Sequence, residues 1–318
     1  MNEYNEDSDA ECCYEEEYDY NDKYDLEEPH FASPEMDFAR LAYDIDHVAC
    51  IISAVRRSGK THLLNRIIYE MAPIAKWDMA IVYSETCCFS NDFEYIPEKC
   101  KINGYDPEHL ANIIKQQGDN IKDYRNKIKK GIPCPRPPRI LIILDDVIGQ
   151  DGIGSDRHIA NLFILGRHLF ISVFYLSQYL NFLKPKIRRN ADVLIIFKDP
   201  NKENRKIICN TFMSLCNDDD DIITGYVDSI FKEPYKCAVV CVYKSQFANS
   251  LQEYVYQFKA PEDDPPLYKI GSKKFWDSSS SAYKGKTEKI GTEYTIPQQK
   301  NGIKIPDKDI SKFMKKMK

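Results

Sequence analysis

A buried strand that runs straight into a phosphate loop leaves a chain few folds to choose from. Val48–Val55 (VACIISAV) is short, aliphatic and rich in β-formers, and it reads as such a strand. Ala54-Val55-Arg56-Arg57-Ser58-Gly59-Lys60-Thr61 follows, an A-x-x-x-x-G-K-T variant of the phosphate-loop pattern G-x-x-x-x-G-K-[ST]. Helical spacing comes next, with Leu64, Ile67, Ile68 and Met71 on one face. The chemistry needs this order. Backbone N–H groups at a helix N-terminus wrap phosphate oxygens, and the helix dipole favours their charge. Residues Ala54 to His62 are therefore the expected nucleotide contacts. Gly59 lets the backbone approach, Lys60 reaches the β- and γ-phosphates, and the Thr61 hydroxyl binds Mg²⁺. Ala54 stands where the first glycine is usual, and it would be strained if that position required a positive φ.

Further apolar runs follow at Met79–Tyr83, Arg139–Leu144, Phe170–Leu176 and Val193–Phe197. Polar amphipathic stretches separate them, the longest being Pro107–Lys129, with Pro107 suited to a first helical turn. Gly131–Pro138 (GIPCPRPP) breaks that helix. Helical patterns also span Asp156–Leu165, Lys202–Leu215 and Asp219–Phe231, and Ala238–Tyr243 and Glu253–Phe258 read as late strands. Strands alternating with helices predict an α/β fold, a mostly parallel central sheet flanked by helices. Such a sheet binds its ligand at the carboxyl ends of its strands, so the polar residues just after each strand matter most.

Charge divides the chain of 318 residues unevenly. Residues 1–28 carry 13 acids against Lys23 alone, a net of −12. The whole chain is at −5, which leaves +7 on the rest. The expected organisation is an acidic disordered leader over 1–30, a phosphate-loop domain over 31–260, and a linker with a basic tail over 261–318. The leader is either a solvated tail or an arm that mimics DNA and screens a basic channel. Pro261–Pro266 and Ser278–Ser281 read as loop or linker, and the last 19 residues hold seven lysines beside Ile310, Phe313 and Met317. The sequence shows no secretory signal and no transmembrane run, so no membrane association is expected. Eleven cysteines fall at irregular spacings without a C-x-x-C, which favours free thiols over a zinc site or a disulfide framework.

The third apolar run ends in Asp145-Asp146. Four aliphatics before an acid place a metal-binding carboxylate at a strand end, so Asp145 is the expected Mg²⁺ ligand. Asp146 is the expected general base for the attacking water. The next strand ends in Ser177-Gln178, where an amide can sense a γ-phosphate or hold the lytic water. Two arginine sites could stabilise the transferred phosphoryl group from a neighbouring subunit. Arg167, in Gly166-Arg167-His168, is preferred to Arg189, in Arg188-Arg189-Asn190.

Five segments, AVRRSGKTHLLNRII, IVYSET, RILIILDDVIG, LGRHLFISVFYLSQ and IRRNADVLIIF, together resemble one family. It is the genome-packaging ATPases of nucleocytoplasmic large DNA viruses, the poxvirus-type branch of the FtsK–HerA superfamily. The resemblance covers about residues 45–200. It implies a RecA-like additional-strand phosphate-loop core, with a sensor strand inserted between the phosphate-loop strand and the strand ending in Asp145-Asp146. It further implies Mg²⁺-dependent ATP hydrolysis and a homo-oligomeric ring that drives double-stranded DNA into a capsid. By motif position it assigns nucleotide binding to Lys60 and Thr61, metal to Thr61 and Asp145, and catalysis to Asp146, Gln178 and Arg167. A capsid or portal component would be a partner, and the host cytoplasm at the assembly site, or the virion, the location. Ala54, and Asp rather than Glu at 146, depart from the general superfamily pattern.

Two other classes remain open on the residues. One is a small-molecule kinase, for which Pro133–Pro138 with Arg136 would be the nearest thing to a lid. The other is a nucleotide switch that binds ATP without hydrolysing it.

Overall fold

The computed structural model describes residues 33–87, 89–147, 156–178, 180, 183–213 and 220–280. The expectations for the acidic leader and for the lysine-rich tail with Ile310, Phe313 and Met317 lie outside the described residues. The strands are β1 (Ala49–Ser53), β2 (Met79–Ser84), β3 (Lys101–Asn103), β4 (Ile140–Asp145), β5 (Ile171–Ser177), β6 (Val193–Phe197), β7 (Lys236–Cys241) and β8 (Val255–Lys259). The helices are α1 (Phe38–Asp44), α2 (Lys60–Ala75), α3 (Pro107–Lys129), α4 (Arg157–Leu165), α5 (Pro185–Arg188), α6 (Lys202–Phe212), α7 (Asp220–Ile230), α8 (Val242–Ser245) and α9 (Lys273–Ser280).

The strands form one sheet in the order β3-β2-β4-β5-β1-β6-β7-β8. Strands β3 to β6 in that order pair in parallel, and β7 and β8 add antiparallel at one edge. Every residue of β1, β2, β4, β5 and β6 is buried. That is why these strands read as unbroken apolar runs rather than alternating ones: helices cover both faces. Strand β5 lies between β1 and β4, the inserted position that the family resemblance implies.

Local chemistry sets the helix ends. Asp106 caps α3, its carboxylate accepting from the N–H groups of Glu108 and His109 at 3.0 Å each, and Pro107 opens the helix. Gly131, at φ 69, turns the chain away after Lys130. Mid-helix, buried Gln117 donates from Nε2 to the carbonyls of Pro138 and Leu169, 2.8 Å from each. It thereby satisfies two backbone groups that precede β4 and β5. Losing an acceptor's partner in a buried site costs about 1–3 kcal/mol, so this one side chain ties α3 to the amino edge of the sheet. Asp156 caps α4 in the same way, accepting from His158 and Ile159.

Several segments differ from the sequence expectation, among them β1, which ends at Ser53, and β8, which starts at Val255. Phe170 is not the first strand residue; it sits at φ 56 and turns the chain into β5. Tyr243 lies in α8, because β7 ends at Cys241. Ser278 and Ser279, expected in a loop, lie in α9. Their hydroxyls bond back to the carbonyls of Lys274 and Phe275 at 2.6 and 2.8 Å, inside the helix. Burial of Phe275 and Ile270 supplies the packing that serine propensity lacks.

The segment past Pro261 is therefore docked on the body as far as α9. The Ile270 N–H donates to the Tyr95 carbonyl at 3.0 Å and the Ser272 N–H to the Asp78 carbonyl at 3.0 Å. Tyr268 stacks on Tyr95 with ring centroids 4.9 Å apart. No described helix is long and apolar enough to cross a membrane.

Candidate nucleotide site

Register brings the site together. Ser53 of β1 lies beside Ser177 of β5, and Ser84 of β2 beside Asp145 of β4. The carboxyl ends of four strands thus finish in one row. The Ala54 N–H donates to the Ser177 carbonyl at 3.0 Å, which fixes the start of the phosphate loop against the strand that ends in Gln178. Within the loop the Ser58 hydroxyl donates to the Val55 carbonyl at 2.8 Å. Gly59 is the N-cap of α2, at φ 84, a conformation only glycine adopts readily.

The strain anticipated at Ala54 is not there. Ala54 is buried and is not among the positive-φ residues; Arg57 is, at φ 62. The bend that a first glycine often supplies is carried three residues later. Arg56 and Arg57 are exposed, and Val55, Ser58 and Thr61 are half-buried.

Lys60 is buried at the start of α2, and its Nζ meets Asp146 Oδ1 at 2.7 Å. Gln178 Nε2 donates to the other oxygen of the same carboxylate, Oδ2, at 3.1 Å. Asp146 itself has φ 45, which aspartate tolerates better than most residues. Three residues, from the phosphate loop, β4 and β5, thus meet at one carboxylate. Asp145 is held separately: the Ser84 hydroxyl donates to its Oδ2 at 3.0 Å, and Ser84 also lies 3.1 Å from the Thr86 hydroxyl. Burial first, and then the Asp146 charge, push the Asp145 carboxyl up to about 6, while the Ser84 bond and Lys60 act the other way. A buried carboxylate raised in this way gains from a divalent cation beside it.

The oxygen donors fit Mg²⁺. Thr61 and Asp145 offer a hydroxyl and a carboxylate, and Mg²⁺ typically takes one or two protein oxygens with phosphate and water completing the shell. Among the described residues no cluster of three or more His, Cys, Asp or Glu is placed to hold a metal alone. His62, on the first turn of α2, faces elsewhere, to the Pro261 carbonyl at 2.7 Å and Asp264 at 3.3 Å.

Arg167 is not in this group. It lies in the short 3₁₀ turn Gly166–Leu169 that enters β5, at the amino edge of the sheet. There it lines a cavity of about 270 Å³ with Arg189, Asp192 and His47, so both finger candidates share one site. Both arginines are exposed. Strands of five to seven residues separate the two edges by about 16–23 Å, far beyond one arginine side chain. Arg136 is also at the amino edge, paired with Asp78 just before β2 at 2.7 Å. It cannot serve as a lid over the phosphate loop.

Ser84, the hydrogen-bond partner of Asp145, is the member of this cluster that the motifs did not single out, although it stands in the IVYSET segment. Its signal was visible as a polar residue closing an apolar strand.

Residues 38–264 match the family described as Poxvirus A32 protein. The chain belongs to this family. Membership agrees with the packaging-ATPase resemblance carried by the motifs, and the chain is a viral genome-packaging ATPase in family. Relatives occur in other large DNA viruses. An uncharacterized protein of Acanthamoeba polyphaga mimivirus is 24% identical over 252 residues, covering 77% of this chain and 84% of that one. One of invertebrate iridescent virus 6 is 24% identical over 233 residues, covering 73% and 84%. Among solved structures, B204, the DNA-packaging ATPase from Sulfolobus turreted icosahedral virus, aligns with a TM-score of 0.42 at 14% identity. That alignment covers 69% of this chain and 99% of B204. The pCW3 conjugation coupling protein TcpA, solved with ATPγS, aligns at 0.46 and 15%, covering 68% and 61%.

Proposed function

We propose that this ATPase hydrolyses Mg²⁺-ATP to drive viral double-stranded DNA into the capsid during virion assembly, working as a homo-oligomeric ring. The observation that carries the proposal is the meeting of Lys60 and Gln178 on the Asp146 carboxylate, at the carboxyl edge where the phosphate loop lies.

The residues divide the chemistry as follows. Backbone N–H groups of the loop and of the first turn of α2 bind the phosphates. Lys60 exchanges Asp146 for the β- and γ-phosphate oxygens when nucleotide enters. Freed of that ion pair, Asp146 accepts the proton of the attacking water, and Gln178 keeps its carboxylate oriented. Thr61 and Asp145 would hold Mg²⁺, which when bound offsets charge on the phosphate oxygens. Arg167 acts across a subunit boundary, since within its own subunit it stands at the opposite edge of the sheet. The +7 charge outside the leader suits a grip on DNA phosphates that is independent of sequence and weakens steeply with salt. A capsid or portal component would receive the ring, at the assembly site in the host cytoplasm.

The test is Mg²⁺-ATP hydrolysis with and without double-stranded DNA, for the wild type, Lys60→Ala, Arg167→Ala and the two variants mixed. Stimulation by DNA in the wild type, its loss in each variant and its partial return in the mixture are expected. Hydrolysis indifferent to DNA would sink the motor. A mixture as inactive as its components would remove the finger from Arg167.

A further inference from the structure

The phosphate chain of a bound nucleotide has a direction, and the sheet order sets it. The γ-phosphate end must face Asp146 and Gln178, which lie toward β5 and β4. The α-phosphate and the nucleoside must then leave on the other side of β1, over β6 and β7. Strand β7 is antiparallel to β6, so it begins at the carboxyl edge, next to the phosphate loop. The residue just before it is Tyr235.

Three observations single out Tyr235. Its Cδ1 lies 3.6 Å from where a Cβ on Gly59 would stand, so its ring rests on the phosphate loop. The residue is 64% exposed, although a large aromatic side chain gains by burial. Its backbone is at φ 62, a left-handed conformation rare for a bulky residue and characteristic of functional sites when the surroundings enforce it. Ion pairs span the turn: Glu233, two residues earlier, meets Lys236 at 2.8 Å and Lys259 at 3.6 Å. The ring that this turn presents is open to solvent.

We propose that Tyr235 is the platform on which the nucleotide base stacks, and that it makes the site favour purine over pyrimidine nucleotides. The proposal rests on the nucleotide-site reading and extends it to the base. Stacking uses the π-face that every base has, and the larger purine ring gains more from it. The segment after β8 reaches the first turn of α2, where the Pro261 carbonyl lies 2.7 Å from His62 Nε2.

The experiment measures equilibrium binding of ATP, CTP and inorganic tripolyphosphate to the full chain, as wild type, Tyr235→Ala and Tyr235→Phe. Tyr235→Ala should weaken ATP by about tenfold or more and abolish the preference for ATP over CTP. Tripolyphosphate, which has no base, should bind all three proteins alike, and Tyr235→Phe should bind ATP as the wild type does. ATP affinity unchanged in Tyr235→Ala would overturn the stacking while leaving the phosphate site intact. Parallel loss of tripolyphosphate would overturn it too, by making Tyr235 a support of the loop. A wild type that binds neither ATP nor tripolyphosphate would refute the nucleotide site itself.

Discussion

Two clusters at opposite edges of the sheet, the Asp146 carboxylate and the Arg167–Arg189 cavity, treat their charges differently. At the carboxyl edge the two acids find partners within the chain: Lys60 and Gln178 on Asp146, Ser84 on Asp145. At the amino edge, among the described residues, Arg167 and Arg189 make no ion pair, yet they share a cavity with the half-hidden carboxylate of Asp192. Burial raises that carboxyl, while the Ala49 N–H bond and the Arg167 charge act against the rise. On the proposed reading, a site assembled within one chain binds its nucleotide without a neighbour. In the proposed ring, Arg167 and Arg189 at the far edge are what a neighbouring subunit's phosphates would meet. The proposed ring would draw the two halves of its site from opposite strand ends of one fold.

The largest effect should separate the two arginines. Arg167→Ala is expected to lower kcat about a thousandfold with ATP affinity unchanged, whereas Arg189→Ala should cost about tenfold or less. Steady-state hydrolysis with a separate binding titration reads both. A larger loss at Arg189 would exchange their roles and keep the contrast; a matching loss of ATP affinity would break it.

A second change should strike both edges at once. Ile142, fully buried in the middle of β4, belongs to neither. Ile142→Ala should cost about 2–5 kcal/mol in urea unfolding, with hydrolysis per folded molecule preserved. If it selectively abolished hydrolysis, the carboxyl edge would not be the self-contained unit described.

The amino edge should also be the more acid-sensitive. His47 lies buried there, stacked on Phe170 at 5.2 Å, and its pKa falls to about 4. Burial is the main cause, and the charges of Arg139 and Arg136 add to it against Asp46. The unfolded chain, with the ordinary value near 6.5, therefore binds the proton that the folded one refuses. Stability from this group is complete above pH 6.5 and is lost as pH falls toward 4, by up to about 2–3 kcal/mol. His47→Phe should flatten that slope in melts between pH 7 and pH 4. An unchanged slope would place the acid sensitivity elsewhere.

The smallest effects test the phosphate loop. Arg57→Gly should stabilise the chain by up to about 1 kcal/mol by relieving its positive φ, and Ala54→Gly should not stabilise it. Stabilisation at 54 and none at 57 would restore the strain to the position that the motif suggested.

Most of the strand and helix pattern was legible because burial on both faces writes each central strand as a solid apolar run, with a polar residue at its end. Where that rule fails, so did legibility. Strand β3 is three residues long, too short for any periodicity, and α1 carries no distinctive composition. Ser278 and Ser279 read as a loop because serine is a weak helix former, and the buried Phe275 beside them outweighs that preference. In the site, the loop, the acid pair and Gln178 were legible from their positions after strands. Ser84 was not singled out, because its role exists only when β2 pairs with β4 in one register.

Local order is what the sequence settled alone: the strand, the loop and the helix of the phosphate site lie within about thirty residues, and short-range sterics and hydrogen bonds decide them. Tertiary structure decided the rest. Only strand order and register could bring Asp146, Lys60 and Gln178 to one carboxylate, send Arg167 and Arg189 to the far edge, and set Tyr235 on the phosphate loop. Those relations join residues from about 30 to 180 positions apart, and side-chain packing between layers, rather than any neighbour along the chain, selects them.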